Sequence, residues 1–310
     1  MRICVIGTVG HTVQAINEMK AHPEAQFVGI APGDSHENTT ALARFAMPVY
    51  ESYEAMLDEL RPDVAIVSPV FGLTGKIIIE CAKRHIDVFA EKPVAATVEE
   101  LAEVERAVKE SGIRFSAMHF LRYTPSFYRA REMVKAGAIG EVRMLNAQKS
   151  YRFGTRPDWY RERDVYVGTI PWVGIHAIDW IYYFAGKKFK SVTAHHVGSP
   201  EMTALGLYEM EDGVISAINV DYLRPAKAPT HGDDRIRVAG DKGVIEVFAD
   251  RFVLINENGQ QEFTEFEAPK LAYEFLTGES DLTADEIFMI TKVALLTRDA
   301  ADNNAFITID

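Results

Sequence analysis

The stretch Asp87-Val88-Phe89-Ala90-Glu91-Lys92-Pro93 joins an apolar run to an acid, a base and a proline. The run from Val88 to Ala90 is typical of a short buried strand in a parallel sheet. Open α/β sheets bind ligands beyond the carboxyl ends of their strands, so the stretch predicts that Lys92 lies in a binding crevice. Pro93 fixes its own φ and disfavours a helical backbone at Lys92, which orients the lysine. A solvated lysine in a strand-to-helix loop is the alternative interpretation.

Short apolar runs alternate with helical patterns on both sides of this stretch, from residue 2 to about residue 118. The alternation is typical of βαβ units and predicts an α/β fold with a doubly wound, Rossmann-type parallel sheet over residues 1–120. The predicted strands are Arg2–Ile6, Gln26–Ile30, Val64–Val67, Asp87–Ala90 and Arg114–Ala117. The predicted helices include His11–Lys20, Glu37–Phe45, Tyr53–Glu59, Leu73–Arg84 and Val98–Ser111.

The first predicted strand runs into Gly7-Thr8-Val9-Gly10-His11-Thr12. A dinucleotide fingerprint, G-x-G-x-x-G, belongs here because glycine lets the backbone approach a pyrophosphate at a helix N-terminus. Only the first glycine stands in register, since Val9 and Thr12 replace the other two. The position between strand and helix still predicts dinucleotide contacts, and an ordinary βα turn is the alternative. The residues expected to make these contacts are Gly7, Val9, Gly10 and His11.

Further cofactor contacts are expected at the ends of neighbouring strands. An acid about 20 residues past the glycine turn would bind the adenosine ribose diol, and Asp34 falls at a suitable distance. Asp34 could equally be the N-cap of the next helix. No arginine follows it to bind a 2′-phosphate, which favours NAD as the cofactor without excluding NADP. Ser68 and Pro69 form a small-residue edge suited to a nicotinamide or ribose. Glu91 and Lys92 complete the predicted set.

Composition bounds the class of protein and its partners. The chain has 310 residues, enough for about two domains, and its 47% apolar and 25% charged residues are ordinary for a globular protein. A net charge of −12 argues against nucleic acid or an anionic membrane as the main partner, and no apolar run approaches a membrane span. Cys4 and Cys81 resemble small buried hydrophobes, so neither a disulfide nor a metal site is predicted. The cytoplasm is the expected location.

Residues 121–310 are predicted to form a substrate-binding and oligomerisation domain of the α+β type. A helix at Ser126–Ala136 precedes long alternating runs separated by turns such as Asp241-Lys242-Gly243, which predicts a large, mostly antiparallel sheet. The predicted strands are Val142–Lys149, Ser191–Val197, Ala204–Met210, Val214–Tyr222, Arg235–Val238, Val244–Phe248, Phe252–Ile255 and Gln261–Phe266. Helices are expected near Lys270–Leu276 and Ala284–Asn303. One sheet face needs cover, so a homodimer or homotetramer through the sheet is expected.

Several motifs together resemble those of the Gfo/Idh/MocA family of nicotinamide-dependent oxidoreductases, which act on sugars, polyols and related hydroxyl compounds. The motifs are the degenerate glycine turn, Glu91-Lys92-Pro93, Arg122-Tyr123-Thr124-Pro125, Gly137-Ala138-Ile139-Gly140-Glu141-Val142, Gly168 to Asp179 and Asp241-Lys242-Gly243. The resemblance covers nearly the whole chain and implies that Lys92 is the catalytic lysine. It also implies that Gly174, His176 and Asp179 form the family's G-x-H-x-x-D run. The family has an acid two residues before that glycine, where this chain has Trp172.

These residue types suit the oxidation of an alcohol, in which the hydroxyl proton must leave together with a hydride. By resemblance, Lys92 holds the substrate oxygen and His176 helps to relay its proton. His176 and Asp179 are three residues apart on a predicted helix, so they share a face and the acid can fix the imidazole tautomer. A histidine satisfied on an apolar helix is the alternative for His176. The expected catalytic residues are Lys92, His176 and Asp179.

The replacement of the family acid by Trp172 leaves the proton relay open. A tryptophan at this position could stack on a sugar face or fill space. Groups that could take over from the missing acid are Asp179, Tyr160, Asp164 and Tyr166.

The segment Ser150–Asp164 gathers four arginines and several aromatic residues in an acidic protein. It could close over the pocket and bind a carboxylate or phosphate in bidentate fashion. The alternatives are a surface loop with local ion pairs or a subunit contact. The residues expected to bind substrate are Lys92, Arg122, Arg152, Arg156, Trp159, Trp172 and His176. The expected substrate is a small molecule, which is anionic if the arginines bind it.

The sequence therefore predicts an NAD(P)-dependent oxidoreductase that transfers a hydride between nicotinamide and a sugar, polyol or sugar acid. Two alternatives stay open. The first is a catalytically silent sensor of the same fold, which binds dinucleotide or ligand without turnover. The second is an enzyme that uses transient oxidation to drive elimination or glycoside cleavage.

Overall fold

The computed structural model describes residues 1–37 and 39–309, and the chain divides into two compact units. The first unit comprises Met1–Met118, Glu162–Val167 and Lys270–Lys292. The second unit comprises His119–Arg161, Gly168–Pro269 and Val293–Asp310.

The α-helices follow the predicted apolar periodicity along the chain. They are α1 (Thr12–Met19), α2 (Thr39–Leu42), α3 (Tyr53–Leu60), α4 (Thr74–Ala82), α5 (Val98–Ser111), α6 (Pro125–Lys135), α7 (Arg163–Tyr166), α8 (Ile175–Ala185), α9 (Leu271–Thr277) and α10 (Ala284–Asn303). Helix α5 shows why the bounds fall where they do. The Thr97 hydroxyl accepts a hydrogen bond from the Glu100 amide at 3.1 Å, and Gly112 ends the helix with a φ of +66°. In the part of the chain that the structure describes, no helix is both long and apolar enough to cross a membrane.

A parallel sheet of five strands forms the centre of the first unit. Its strands are β1 (Arg2–Ile6), β2 (Gln26–Ala31), β3 (Val64–Val67), β4 (Asp87–Ala90) and β5 (Phe115–Ala117). They lie in the order β2-β1-β3-β4-β5, which confirms the predicted doubly wound sheet. The order reverses between β1 and β3, and ligands of such sheets bind at this switch point, outside the carboxyl ends of the strands.

The helix predicted from Glu37 to Phe45 is only partly present. Thr39–Leu42 is helical and continues as a single 3₁₀ turn over Ala43–Phe45. Asn38, which the prediction included, lies outside the described residues. Glu37 precedes the helix because its carboxylate accepts hydrogen bonds from the backbone of Thr8 and Gly33.

A sheet of nine strands forms the second unit and confirms the predicted large, mostly antiparallel sheet. Its strands are β6 (Val142–Tyr151), β7 (Phe189–Gly198), β8 (Glu201–Met210), β9 (Ile215–Asp221), β10 (Gly232–Gly240), β11 (Gly243–Phe248), β12 (Phe252–Asn256), β13 (Gly259–Phe263) and β14 (Phe306–Thr308). Their order is β13-β12-β11-β10-β6-β9-β8-β7-β14, and only β6 and β9 pair in parallel. Helix α8 packs on β6, β9 and β10.

Every predicted strand of this sheet is present with ends that differ by at most three residues, and one further strand is found. The strand expected at Gln261–Phe266 lies at Gly259–Phe263, because its partner β12 pairs in register from Phe252–Phe263 to Asn256–Gly259. Strand β14 was not predicted. It has three residues, too few for an alternating pattern, and exists because it pairs with the edge strand β7.

Candidate active site

Glu91 and Lys92 follow strand β4 directly and are both buried, with exposed fractions of 0% and 1%. The Glu91 amide donates to the Val67 carbonyl at 2.7 Å, which extends the pairing of β4 with β3. The Lys92 amide donates to Oε1 of Glu91 at 3.0 Å, so the acid also fixes the backbone of the lysine. Burial to this degree rules out the solvated-lysine interpretation. Lys92 is instead held at the carboxyl end of a parallel strand, the edge at which sheets of this kind receive ligands.

Glu91 links the turn after β1 to the segment that carries Lys92. Its Oε2 accepts a hydrogen bond from the His11 amide at 2.7 Å and lies 2.9 Å from Nδ1 of the same residue. Burial on its own would raise the pKa of Glu91, but the charge and hydrogen bonds of His11 and the charge of Lys92 hold it below the ordinary value. Glu91 is therefore an ionised carboxylate that connects His11 with Lys92.

The glycine turn lies against the end of strand β3. Gly7 has a φ of +77°, and a Cβ atom there would lie 2.4 Å from the carbonyl oxygen of Ser68. The Val9 amide donates to that same oxygen at 2.9 Å, and the Ser68 hydroxyl donates to the Val9 carbonyl. Gly10 also has a positive φ, of 73°. Only glycine allows so close a backbone approach, so the turn fits the cradle that a dinucleotide needs despite its degenerate sequence.

The acid that reaches the glycine turn is Glu37, which the sequence analysis did not single out. Its Oε1 accepts from the Thr8 amide at 2.5 Å and from the Thr8 hydroxyl at 2.7 Å, while Oε2 accepts from the Gly33 amide at 2.8 Å. Burial raises the pKa of Glu37. Asp34 accepts from the His36 amide at 2.5 Å through Oδ1 and from the Val70 amide, beyond the end of β3, at 3.4 Å through Oδ2. Pro32 and Gly33 obscured this assignment, because a spacing of about 20 residues does not reveal which acid the intervening turn directs inward.

In the second unit, Asp179 lies at the centre of a buried charged cluster. Nε of Arg122 donates to its Oδ1 at 3.1 Å, and Nδ1 of His119 lies 3.3 Å from its Oδ2. All three side chains are at most 1% exposed. Burial on its own would raise the pKa of Asp179, but the charges of Arg122 and His119 hold it below the ordinary value. Arg122, which was expected to bind substrate, is thus engaged with Asp179.

His176 and His119 lie in the same cluster. Their rings meet edge to face with centroids 6.4 Å apart, and His176 is 1% exposed on the first turn of α8. His119 was missed by the sequence analysis. Its only signal is its place directly after the last parallel strand, beyond Met118, where the chain leaves the first unit.

Trp172 lies in a π-helical turn, Ile170–Gly174, that leads directly into α8. Such turns are rare and occur often at functional sites. The tryptophan is 9% exposed. Among the groups considered for the missing acid, Asp179 and Tyr160 belong to the second unit, whereas Asp164 and Tyr166 belong to the first.

The arginine-rich segment lies in the second unit up to Arg161. Trp159 is buried and stacks on Tyr160 with ring centroids 4.5 Å apart. The guanidinium group of Arg156 lies over the Tyr160 ring, 5.3 Å from its centroid. Phe153 meets the ring of Tyr222, directly after β9, edge to face with centroids 5.2 Å apart, so the segment packs on the nine-stranded sheet.

One group of side chains in the described residues could in principle hold a metal ion. Ligand atoms of His196, Glu201 and Asp302 all lie within 4.8 Å of one another. Nε2 of His196 pairs with Oδ1 of Asp302 at 2.7 Å, and Glu201 accepts a hydrogen bond from the Thr169 amide at 3.0 Å. These local partners account for the cluster.

Comparison with known proteins gives two family matches. Residues 1–119 match the oxidoreductase family with an NAD-binding Rossmann fold, and residues 127–246 match the GFO/IDH/MocA C-terminal domain. A solved structure from Thermotoga maritima, of a protein assigned to the oxidoreductases, is 39% identical. It covers 100% of both chains with a TM-score of 0.95.

Curated relatives are more distant. The 2,7-anhydro-N-acetylneuraminate hydratase of Escherichia coli is 25% identical over 61% of this chain and 50% of the hydratase. The chain thus spans half the length of that relative. The D-xylose 1-dehydrogenase (NADP(+)) 2 of Haloferax volcanii is 24% identical over 73% of this chain and 70% of the dehydrogenase.

Proposed function

Because the chain belongs to the Gfo/Idh/MocA family of oxidoreductases and has its NAD-binding Rossmann domain, we propose that it is an NAD-dependent dehydrogenase or reductase. The proposed substrate is a small hydroxylated compound: a sugar, a polyol or a sugar acid. The observation that carries the proposal is the buried Lys92 at the carboxyl end of β4, connected through Glu91 to the glycine turn. A lysine held in this way binds a ligand at the place where such a sheet receives its cofactor.

The residues have separate proposed roles. When bound, the nicotinamide supplies the group that accepts or donates a hydride. In the first unit, Lys92 is the proposed group that holds the substrate hydroxyl and lowers the cost of removing its proton. In the second unit, His176 is the proposed proton acceptor. Asp179 and Arg122 hold His119 and the start of α8 in place, so they act as positioning residues. Trp172 forms part of the substrate site in place of the family acid.

NAD is the proposed cofactor in preference to NADP. Glu37 places a carboxylate against the glycine turn, at the end of β2. Such a carboxylate accepts hydrogen bonds from a ribose diol and repels a 2′-phosphate. Asp34, at the spacing expected from the sequence, stays a second candidate for the ribose diol, because its Oδ2 accepts from the Val70 amide beside the end of β3.

A second candidate function is favoured by one observation. The relative from Escherichia coli is a hydratase, so a fold of this family can serve a reaction other than net oxidation. Transient oxidation of a substrate carbon would then acidify its neighbour and allow elimination. Product formation without net change in NADH would identify this function.

Assembly and location complete the proposal. One face of the nine-stranded sheet carries exposed apolar side chains, among them Leu207, Ile215 and Phe306 at 63%, 53% and 67% exposure. Around Leu207, Ile215 and Phe306 the lining of this concave patch includes one charged residue, Glu209, so a second copy of this acidic chain can approach the patch without strong repulsion. We therefore expect a homodimer or homotetramer through the sheet, in the cytoplasm.

The proposal is tested with a panel of sugars, polyols and sugar acids, each offered with NAD and with NADP and followed by nicotinamide absorbance. We expect reduction of NAD by at least one compound, with a clear preference over NADP. Tight NADH binding with no turnover of any compound would instead support the sensor alternative.

A further inference from the structure

Two arginines of the second unit have no carboxylate partner among the described residues. Arg152 and Arg156 are both half-buried, and Nε of each is buried without a hydrogen-bond partner. Within residues 1–37 and 39–309, neither group forms an ion pair with a carboxylate. An unpaired charge withdrawn from water is costly, and this chain has a surplus of acids with which to pair it. Because no carboxylate of the described residues neutralises them, both arginines are suited to bind an anion from outside the protein.

Lys149 and Asp234 form a buried ion pair on the face of the nine-stranded sheet next to these arginines. Lys149 lies directly opposite Asp234 on β10 and Val220 on β9, so the three side chains share one face. Nζ of Lys149 lies 2.6 Å from Oδ2 of Asp234, and the lysine side chain is 0% exposed. Burial lowers the pKa of Lys149 to about 8, although Asp234 opposes this shift. Lys149 thus offsets the charge of Asp234 and reduces its repulsion of an anion on this face.

The next positions along the same strands are aromatic. Tyr151 lies opposite Gly232, and a Cβ atom at that glycine would meet the tyrosine ring at 2.5 Å. Tyr222 lies two residues beyond Val220, and the guanidinium group of Arg156 is 5.7 Å from its ring centroid. Planar rings hold a guanidinium group by its face and leave its edge of N–H donors free for a ligand.

His231 lies close enough to Arg152 and Arg156 for their charges to shift its pKa. Its ring stacks near Tyr151 with centroids 5.0 Å apart, and its carbonyl accepts a hydrogen bond from the Arg152 amide at 3.1 Å. Partial removal from water lowers the pKa of His231, and the charges of Arg156, Arg152 and Lys149 lower it further. Asp234 opposes this shift, so the three basic groups together outweigh the one acid around His231, inside a protein whose net charge is −12.

The cluster lies on the sheet face that also supports helix α8. A Cβ atom at Gly174, two residues before His176, would lie 3.2 Å from the side chain of Val220. Lys149 reaches the ring of Trp180 on the same helix, at 5.2 Å from the centroid. Tyr222 is two residues from Val220, about 7 Å along an extended strand. Arg156, which lies over the Tyr222 ring, is therefore on the part of the sheet face next to the start of α8.

We propose that Arg152 and Arg156 bind the carboxylate or phosphate group of a small anionic substrate, beside the helix that carries His176. The inference rests on the proposed function, because it names the class of substrate: a sugar acid or a sugar phosphate. Two planar guanidinium groups suit either oxyanion, since each can donate a pair of parallel hydrogen bonds.

The test measures equilibrium binding by calorimetry, with and without NADH, so that no turnover is needed. The probes are D-gluconate, D-glucose 6-phosphate and sorbitol, which are a carboxylate, a phosphate ester and a neutral polyol. We expect the preferred anion to bind at least about 10-fold more tightly than sorbitol, and Arg156→Gln to remove most of that preference. Arg152→Gln is expected to act in the same direction, and the comparison of the two anions identifies the group that is bound.

Arg161→Gln is the matched control, because it removes the same charge from an exposed arginine of the same segment. It is expected to leave anion binding unchanged, and the thermal melting of every variant is compared to exclude unfolding. Equal binding of sorbitol and both anions, no binding of either anion, or an equal loss in Arg161→Gln would overturn the inference. Turnover of neutral polyols without anion preference would overturn it while leaving the dehydrogenase assignment intact. Anion binding without turnover of any compound would support the inference and contradict the dehydrogenase assignment.

Discussion

Asp179 is a single carboxylate whose burial is stabilised by two basic neighbours. Arg122 donates to it, and Nδ1 of His119 lies 3.3 Å away. Removing one partner of a buried ion pair costs more than the pair contributes, because the other charge stays buried and uncompensated. The position of His119, and through it the packing around His176, therefore depends on the charge of this one residue.

The substitution Asp179→Asn tests this dependence through the pH profile of stability. The folded pKa of Asp179 lies below its unfolded value, so its stabilising contribution is present above about pH 4 and is lost as the pH falls through the folded pKa. We expect the variant to be about 3 kcal/mol less stable at neutral pH. The difference from the native protein should shrink as the pH falls below about 4, in urea titrations at a series of pH values. A difference that stays constant across this range would contradict the assignment.

At the scale of elements, the turn between β1 and α1 joins the strand ends to the cofactor site. Gly7 brings the backbone against the Ser68 carbonyl. Glu37, which follows β2, accepts a hydrogen bond from the Thr8 amide, and Glu91, which follows β4, accepts one from the His11 amide. The turn keeps the shape of a dinucleotide cradle although two of the three fingerprint glycines are absent. That shape is therefore maintained by backbone contacts and not by the number of glycines.

Gly7→Ala is expected to weaken NADH binding by at least about 10-fold, because a Cβ atom 2.4 Å from a backbone oxygen forces the turn to move. Gly112→Ala is the matched control. Its φ of +66° imposes a similar conformational cost, but its Cβ atom would meet nothing within 4 Å. Fluorescence titration of both variants with NADH should show the loss in the first alone. An equal loss in both, or in neither, would show that the close approach at Gly7 does not shape the site.

Elements with strong periodicity were predictable from the sequence, whereas contacts set by distant segments were not. Strands β1, β3 and β4 have the predicted bounds, because buried parallel strands are continuous apolar runs. Lys92 could be placed because it follows such a strand directly. Glu37 could not, since its role depends on how the chain turns after β2. His119 carries no motif, and its place beside Asp179 follows only from tertiary packing.

At the scale of the molecule, the free face of the nine-stranded sheet suggests that the protein works as an oligomer. Phe306, Thr193 and Leu207 lie opposite one another on three adjacent strands and continue to Ala217 on β9. This row forms part of a concave apolar surface. Exposed apolar surface of this kind marks protein–protein contacts.

Leu207→Asp places a charge at the middle of this row and is expected to yield a monomer in light scattering coupled to size-exclusion chromatography. Burying a carboxylate without a partner opposes association. Val13→Asp, at a position 53% exposed on α1, is the control and should retain the native mass. A native protein that is already monomeric would refute assembly through this face.

The central claim is that Lys92 carries the chemistry of an NAD-dependent oxidoreductase. The most direct measurement is the steady-state turnover of Lys92→Ala with the best substrate of the panel, set beside its NADH affinity and that of Lys76→Ala, which removes an exposed lysine of the same unit. We predict that kcat falls by about 10²-fold or more in Lys92→Ala alone, while NADH binding stays nearly unchanged in both variants. Turnover that survives the loss of Lys92 would contradict the account.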